Sequence, residues 1–161
     1  MWWILAGCGP EPLDVFLALP ADFEGFRDWE TFAPVGDGHG EVQRTIYAND
    51  RALSDDAAFV VGSVIVKVSE LPDGPVTHAM ARRADDYNVN GAVGWEWMEL
   101  DHVDAAVPRI VWRGEAPPEG EEYALFGDGD TGASAPATGD CNTCHGAAFA
   151  NQYVFSVPLG G

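Results

Sequence analysis

The stretch from residue 42 to residue 113 limits the fold most. It holds a succession of short segments with strand character, at 42–47, 59–68, 76–83, 92–100 and 109–113. β-Branched and aromatic residues dominate them, as a pleated, half-buried surface requires. In 76–83 the alternation puts Val76, His78 and Met80 on one face. In 92–100 it puts Trp95, Trp97 and Glu99 on one face, with Glu96 and Met98 on the other. Leu71-Pro72-Asp73-Gly74-Pro75 supplies turn chemistry between two of these segments. The connections are mostly too short for crossover helices, so antiparallel pairing is favoured. Further strands are expected at 122–126 and 153–157. Helices are expected at 21–30, where Phe23, Phe26 and Trp29 recur every three residues behind Asp22 as cap, and at 141–150. The fold class that follows is mainly β (α+β): an antiparallel sheet with a few short helices, one of them near the C-terminus.

The 161 residues suffice for one domain with a real core and not for two large ones. Residues 1–20 read as a signal remnant or lipoprotein tether, and 21–161 as a single domain. Leu5-Ala6-Gly7-Cys8 resembles a lipoprotein signal box, which makes Cys8 a candidate lipid anchor. The apolar start is shorter than a full export segment and lacks a basic beginning, so an accidental match is the other reading. No run is long enough to span a membrane as a helix. Eight basic residues stand against 26 acidic ones, a formal charge of −18. Such a chain repels phosphate backbones, which argues against nucleic acid as a partner. It suits a basic partner or a saline habitat.

The chemistry concentrates in Cys141-Asn142-Thr143-Cys144-His145. This is the C-x-x-C-H spacing of covalent c-type haem attachment. Two thiols three residues apart lie on one face of a helical turn, within reach of the two vinyl groups of a haem. The next residue, His145, is then placed to ligate the iron. Its other ring nitrogen needs an acceptor, often a backbone carbonyl. A structural zinc site would need a second Cys pair, and a thioredoxin-like redox pair would need a βαβ context; neither is present in the sequence. Two other strings carry less. Gly127-Asp128-Gly129-Asp130-Thr131-Gly132 matches a phosphate-loop pattern but precedes no helix. As a calcium loop it has Gly139 at the twelfth position, where a Glu belongs.

An ordered set of pieces resembles the cytochrome P-460 family, which includes the cytochromes c′-beta. The pieces are Phe26-Arg27-Asp28-Trp29, Arg44-Thr45-Ile46-Tyr47, Val64-Ile65-Val66-Lys67, Met80-Ala81-Arg82, Trp95-Glu96-Trp97, and the Cys141–His145 motif followed by Tyr153-Val154-Phe155. The resemblance runs from about residue 21 onward. It implies an antiparallel β fold of the cytochrome P-460 type, usually a homodimer, holding one covalently attached haem c with an open distal face. In P-460 members a lysine is covalently linked to the haem ring and hydroxylamine is oxidised. In c′-beta members the link is missing and nitric oxide or carbon monoxide binds.

Lys67 matches the linking lysine. It is the one lysine beside seven arginines. A buried ammonium is costly unless paired or deprotonated, and a deprotonated amine is a nucleophile. The plainer reading is an edge-strand lysine that reaches solvent over a buried stem. Arg44 matches the family arginine on the neighbouring strand, where it would orient a nitrogenous ligand or pair with a propionate. A surface ion pair is its plainer role. Met80 and Met98 are candidate sixth ligands of an electron-transfer cytochrome, or core residues. His78, on an alternating strand, is a candidate for the distal side or, as the plainer reading, structural, and His39 and His102 read as solvated.

Three functions follow in order. The first is an exported, periplasmic mono-haem c-type enzyme that oxidises hydroxylamine, with His145 on iron, Cys141 and Cys144 holding the macrocycle, Lys67 cross-linked and Arg44 orienting the substrate. A small basic cytochrome would accept its electrons. The second is a binder of nitric oxide or carbon monoxide with Lys67 unlinked. The third is a plain electron-transfer cytochrome c. The sequence places no distal acid or base near the iron.

Overall fold

The protein is described by a computed structural model over residues 11–34, 43–54, 58–101, 106–119 and 141–158. Cys8, His39, His102, the segment 122–126 and the loop 127–140 lie outside the described residues.

Among the described residues, six strands form one antiparallel sheet in chain order: β1 (Glu30–Phe32), β2 (Gln43–Ala48), β3 (Val64–Leu71), β4 (Gly74–Arg82), β5 (Trp95–Asp101) and β6 (Arg109–Gly114). Each strand pairs with its sequence neighbour, as short connections dictate. Leu71 pairs with Gly74 across a two-residue Pro72-Asp73 loop. Gly74 takes φ +122°, a conformation open to glycine. β1 was not expected; three residues carry too little periodicity to announce a strand. β3 begins at Val64, later than the β-branched run suggests. Gly62 at φ +93° and a bond from the Ser63 N–H to the Val60 carbonyl turn the chain just before it.

Period-2 alternation gives the sheet two buried faces. One carries Ile46, Ala48, Ile65, Met80, Trp95, Trp97 and Trp112, and Phe59, Val154 and Val157 pack on it. The other carries Tyr47, Val64, Val66, Val68, Ala79, Ala81, Met98 and Leu100 beneath Ala18, Phe23 and Phe26. Burying each large side chain contributes roughly 1.5–3 kcal/mol. β5 is buried on both sides, and Glu96 on its second face is 1% exposed. Glu96 is held there by Arg83 at 2.7 Å and by Arg113, a pair of charge-assisted contacts that offsets its desolvation.

The helix expected at 21–30 is instead two 3₁₀ turns, Pro20–Phe23 and Phe26–Asp28, split by Gly25 at φ +66°. Asp22 does not cap from in front; its carboxylate accepts the Leu19 N–H at 2.7 Å. Residues 11–19 lie along the domain: the Phe16 N–H donates to the Arg83 carbonyl and Arg113 to the Ala18 carbonyl. No described helix is long and apolar enough to cross a membrane.

The helix at 141–150 is α-helical only over α1 (Cys141–His145). It continues as a 3₁₀ turn, Gly146–Asn151, with a kink at Ala148. Residues 153–157 are not a strand. Gln152 and Tyr153 take φ +50° and +70°, and Asn151 Nδ2 donates to the carbonyls of Val154 and Val157, coiling the segment on itself. That coil brings the Tyr153 carbonyl back towards α1.

Candidate functional site

Register decides which strand residues face α1. Ile46 pairs with Lys67, Lys67 with His78, His78 with Glu99, and Glu99 with Trp112. These five form one row across five strands, on the face where Cys141 and Tyr153 also pack. The row ends at β6 just before a bulge between Glu99 and Leu100 shifts the register, and the Trp112 indole donates to Glu99 Oε2 at 3.1 Å. The next row runs Ala48, Ile65, Met80, Trp97 and Gly114. Arg44 pairs with Ser69 and is thus the diagonal neighbour of Lys67 on the same face.

In α1, Cys141 and Cys144 are partly buried thiols that form no disulfide. Nδ1 of His145 lies 2.6 Å from the Tyr153 carbonyl oxygen. The carbonyl can only accept, so Nδ1 carries the proton and Nε2 keeps its lone pair. Burial, above all, lowers the His145 pKa to about 4, with the positive charge of Lys67 adding to it and the Tyr153 hydrogen bond opposing it. The ring is therefore neutral at neutral pH. Trp97 packs on it with ring centroids 4.6 Å apart, and Phe155 at 5.3 Å edge-on.

Lys67 sits within electrostatic reach of both thiols, of Arg44, of His78 and of His145. Burial lowers its pKa first, and Arg44 lowers it further, while Cys144 and Cys141 oppose the shift. No carboxylate among the described residues lies within ion-pair distance of its ammonium. This is the environment in which an amine loses its proton more readily and becomes nucleophilic. Burial raises the Cys144 pKa, against the pull of Lys67. His78 falls to about 3 through burial and then the charges of Lys67 and His145, so it is neutral too.

The expected site residues are thus brought to one side of one sheet: Cys141, Cys144 and His145 from α1, Lys67 from β3 and Arg44 from β2. Met98 is on the opposite face, in the second core cluster, and is removed from α1 as a ligand. Met80 is buried in the core next to Trp97. Two contributors were not legible as such. Glu99 becomes a neighbour of His78 only through register. Asn142, inside the Cys motif, makes five side-chain hydrogen bonds to the sheet and its loops.

A haem needs two thiols on one turn, one neutral imidazole nitrogen for the iron, and apolar surface for the ring. Cys141 and Cys144, Nε2 of His145, and the Trp97 and Phe155 rings answer those needs, and the donor set fits the group. Among the described residues, no three His, Cys, Asp or Glu side chains gather to hold a metal ion on their own. Comparison with protein-family models and with curated proteins returns no match for this chain.

Proposed function

We propose that this protein is an exported mono-haem c-type cytochrome of the cytochrome P-460 type that oxidises hydroxylamine. The observation that carries the reading is the state of His145. Its Nδ1 is committed to the Tyr153 carbonyl and its Nε2 lone pair is available, beside two thiols outside any disulfide and on the sheet face that bears Lys67.

Cys141 and Cys144 would hold the macrocycle as thioethers, and Nε2 of His145 would ligate the iron. When bound, the haem supplies an iron centre that takes electrons from a small nitrogenous substrate and passes them on. The chain does the rest. The Tyr153 carbonyl holds the His145 ring in one tautomer and one orientation. Trp97, Met80 and Ile65 supply apolar surface that keeps water away from this face. Lys67, with its proton loosened by burial, is the amine that would carry the ring cross-link, a C–N bond that replaces a ring C–H and releases two protons and two electrons to an external oxidant of the peroxide class. Arg44 keeps its charge, so it can orient a substrate or hold a propionate. Reduced partners leave by way of the acidic surface, which suits a small basic cytochrome. Homodimer formation and a lipid anchor at Cys8 belong to the same proposal.

A second reading has its own observation in favour. Apart from the Tyr153 carbonyl, the His145 ring packs against the Trp97 and Phe155 rings on a face that also carries Ile65 and Met80, and apolar surroundings favour neutral diatomics, as in a nitric oxide or carbon monoxide binder of the c′-beta type. Mass spectrometry separates the two. Digests of the matured protein yield the Cys141–His145 peptide joined to the Lys67 strand peptide if the enzyme reading is right, with hydroxylamine turnover against an artificial electron acceptor. Two thioethers alone and no turnover favour the gas binder.

A further inference from the structure

Asn142 occupies an interior position of the Cys motif that has no covalent task, yet its amide is the most heavily bonded side chain of the site. Oδ1 accepts from Asn88 Nδ2 at 2.8 Å, from the Ala92 N–H at 3.0 Å and from the Trp97 indole at 2.9 Å. Nδ2 donates to the Glu115 carbonyl at 2.9 Å and to Asn88 Oδ1 at 3.3 Å. An indole and a backbone N–H can only donate, and a backbone carbonyl can only accept, so the amide orientation is fixed by chemistry.

Residues 88–92 are shaped around that amide. Asn88, 2% exposed, takes φ +52°, an uncommon conformation for a residue with a side chain. Gly91 closes against the socket: a Cβ there would lie 2.3 Å from the Asn142 amide. Asn142 and His145 stand three residues apart on one helical turn, and both hold Trp97. Asn142 binds its N–H, and His145 rests on its ring. The indole is thereby fixed at two points, and the imidazole packs on a surface that cannot rotate.

We propose that Asn142 is a positioning residue that acts through Trp97 to set the orientation in which His145 presents Nε2. This rests on the haem reading above. The amide locks the indole plane, the indole plane limits the roll of the imidazole, and the Tyr153 carbonyl holds the ring's other end.

The test has two arms. In the haem-loaded ferrous protein, the iron–histidine stretching band is compared by resonance Raman among wild type, Asn142→Ala, Trp97→Phe, Gly91→Ala and the Asn142→Ala/Trp97→Phe double variant. Trp97→Phe removes the N–H and keeps a ring, which preserves the test if Asn142→Ala does not fold. The account expects each single variant to shift the band in the same direction and the double variant to shift it no further than the larger single. An unshifted band in all variants with haem attached, or fully additive shifts, overturns it. In the haem-free chain, hydrogen exchange at the Trp97 indole N–H is expected to quicken at least about five-fold in Asn142→Ala, the equivalent of one lost hydrogen bond. An unchanged exchange rate overturns the proposal. A wild-type chain that takes up no haem overturns the functional reading instead, and the exchange arm still decides on the socket.

Discussion

The Nδ1 atom of His145 and the carbonyl oxygen of Tyr153 stand 2.6 Å apart, across a chain reversal built on two residues of positive φ. The geometry leaves Nε2 as a free base in a neutral ring. Replacing His145 by Gly should therefore leave both thioethers intact while the visible spectrum changes to that of iron without its protein ligand. Added imidazole should restore the original spectrum in a titration followed by absorbance. A spectrum unchanged by the substitution would remove His145 from the iron.

Lys67 pays a desolvation cost with no carboxylate partner among the described residues. Lys67→Met should stabilise the haem-free chain by about 1–3 kcal/mol, read as a higher urea midpoint at unchanged slope. In the haem-loaded protein the same substitution should remove the cross-linked peptide. A destabilised Lys67→Met chain would mean that the amine has a partner the sheet face does not offer.

Much of the sheet was legible because its signals are local. Alternation in 76–83 and 92–100 placed Val76, His78 and Met80, and Trp95, Trp97 and Glu99, on the faces where they lie. The Pro72-Asp73 turn was equally plain. The misses are of another kind. Residues 153–157 have strand composition, but side-chain bonds from Asn151 and the left-handed Gln152 and Tyr153 override it. Phe23, Phe26 and Trp29 keep a spacing of three, which suits 3₁₀ turns as well as a helix. The row from Lys67 to Glu99 depends on register, which no single strand encodes.

Glu96 offers a check on the opposite face. Its carboxylate, 1% exposed, joins Arg83 to Arg113, and Arg113 in turn holds the Ala18 carbonyl. Glu96→Ala leaves two guanidinium groups without their shared anion and a cavity in a buried strand. The expected loss is about 3–5 kcal/mol by urea unfolding of the haem-free chain. A loss under about 1 kcal/mol, the range of an exposed pair, would contradict the packing of this face.

Acid should unfold the haem-free chain through its neutral histidines. His78 is held to about 3 from an ordinary 6.5, and His145 to about 4. Below about pH 6.5 the unfolded chain binds protons that the folded chain refuses, so stability falls as pH falls. Each group contributes up to about 1.4 kcal/mol per pH unit in that window. Burial sets most of the His78 shift, and the charges of Lys67 on β3 and His145 on α1 add to it. His78→Gln should roughly halve the slope between pH 6 and pH 4.5, measured by urea titrations at fixed pH. An unchanged slope would place His78 in contact with water.

The most direct measurement is the intact mass of the chain produced in cells that carry a c-type haem maturation system, alongside Cys141→Ala, Cys144→Ala and the double variant. The account predicts a wild-type mass raised by one haem that survives acid denaturation. It predicts that the double variant carries no haem on Cys141 or Cys144. A wild-type chain at its unmodified polypeptide mass, with both thiols free to alkylating reagent, would contradict the assignment of Cys141, Cys144 and His145.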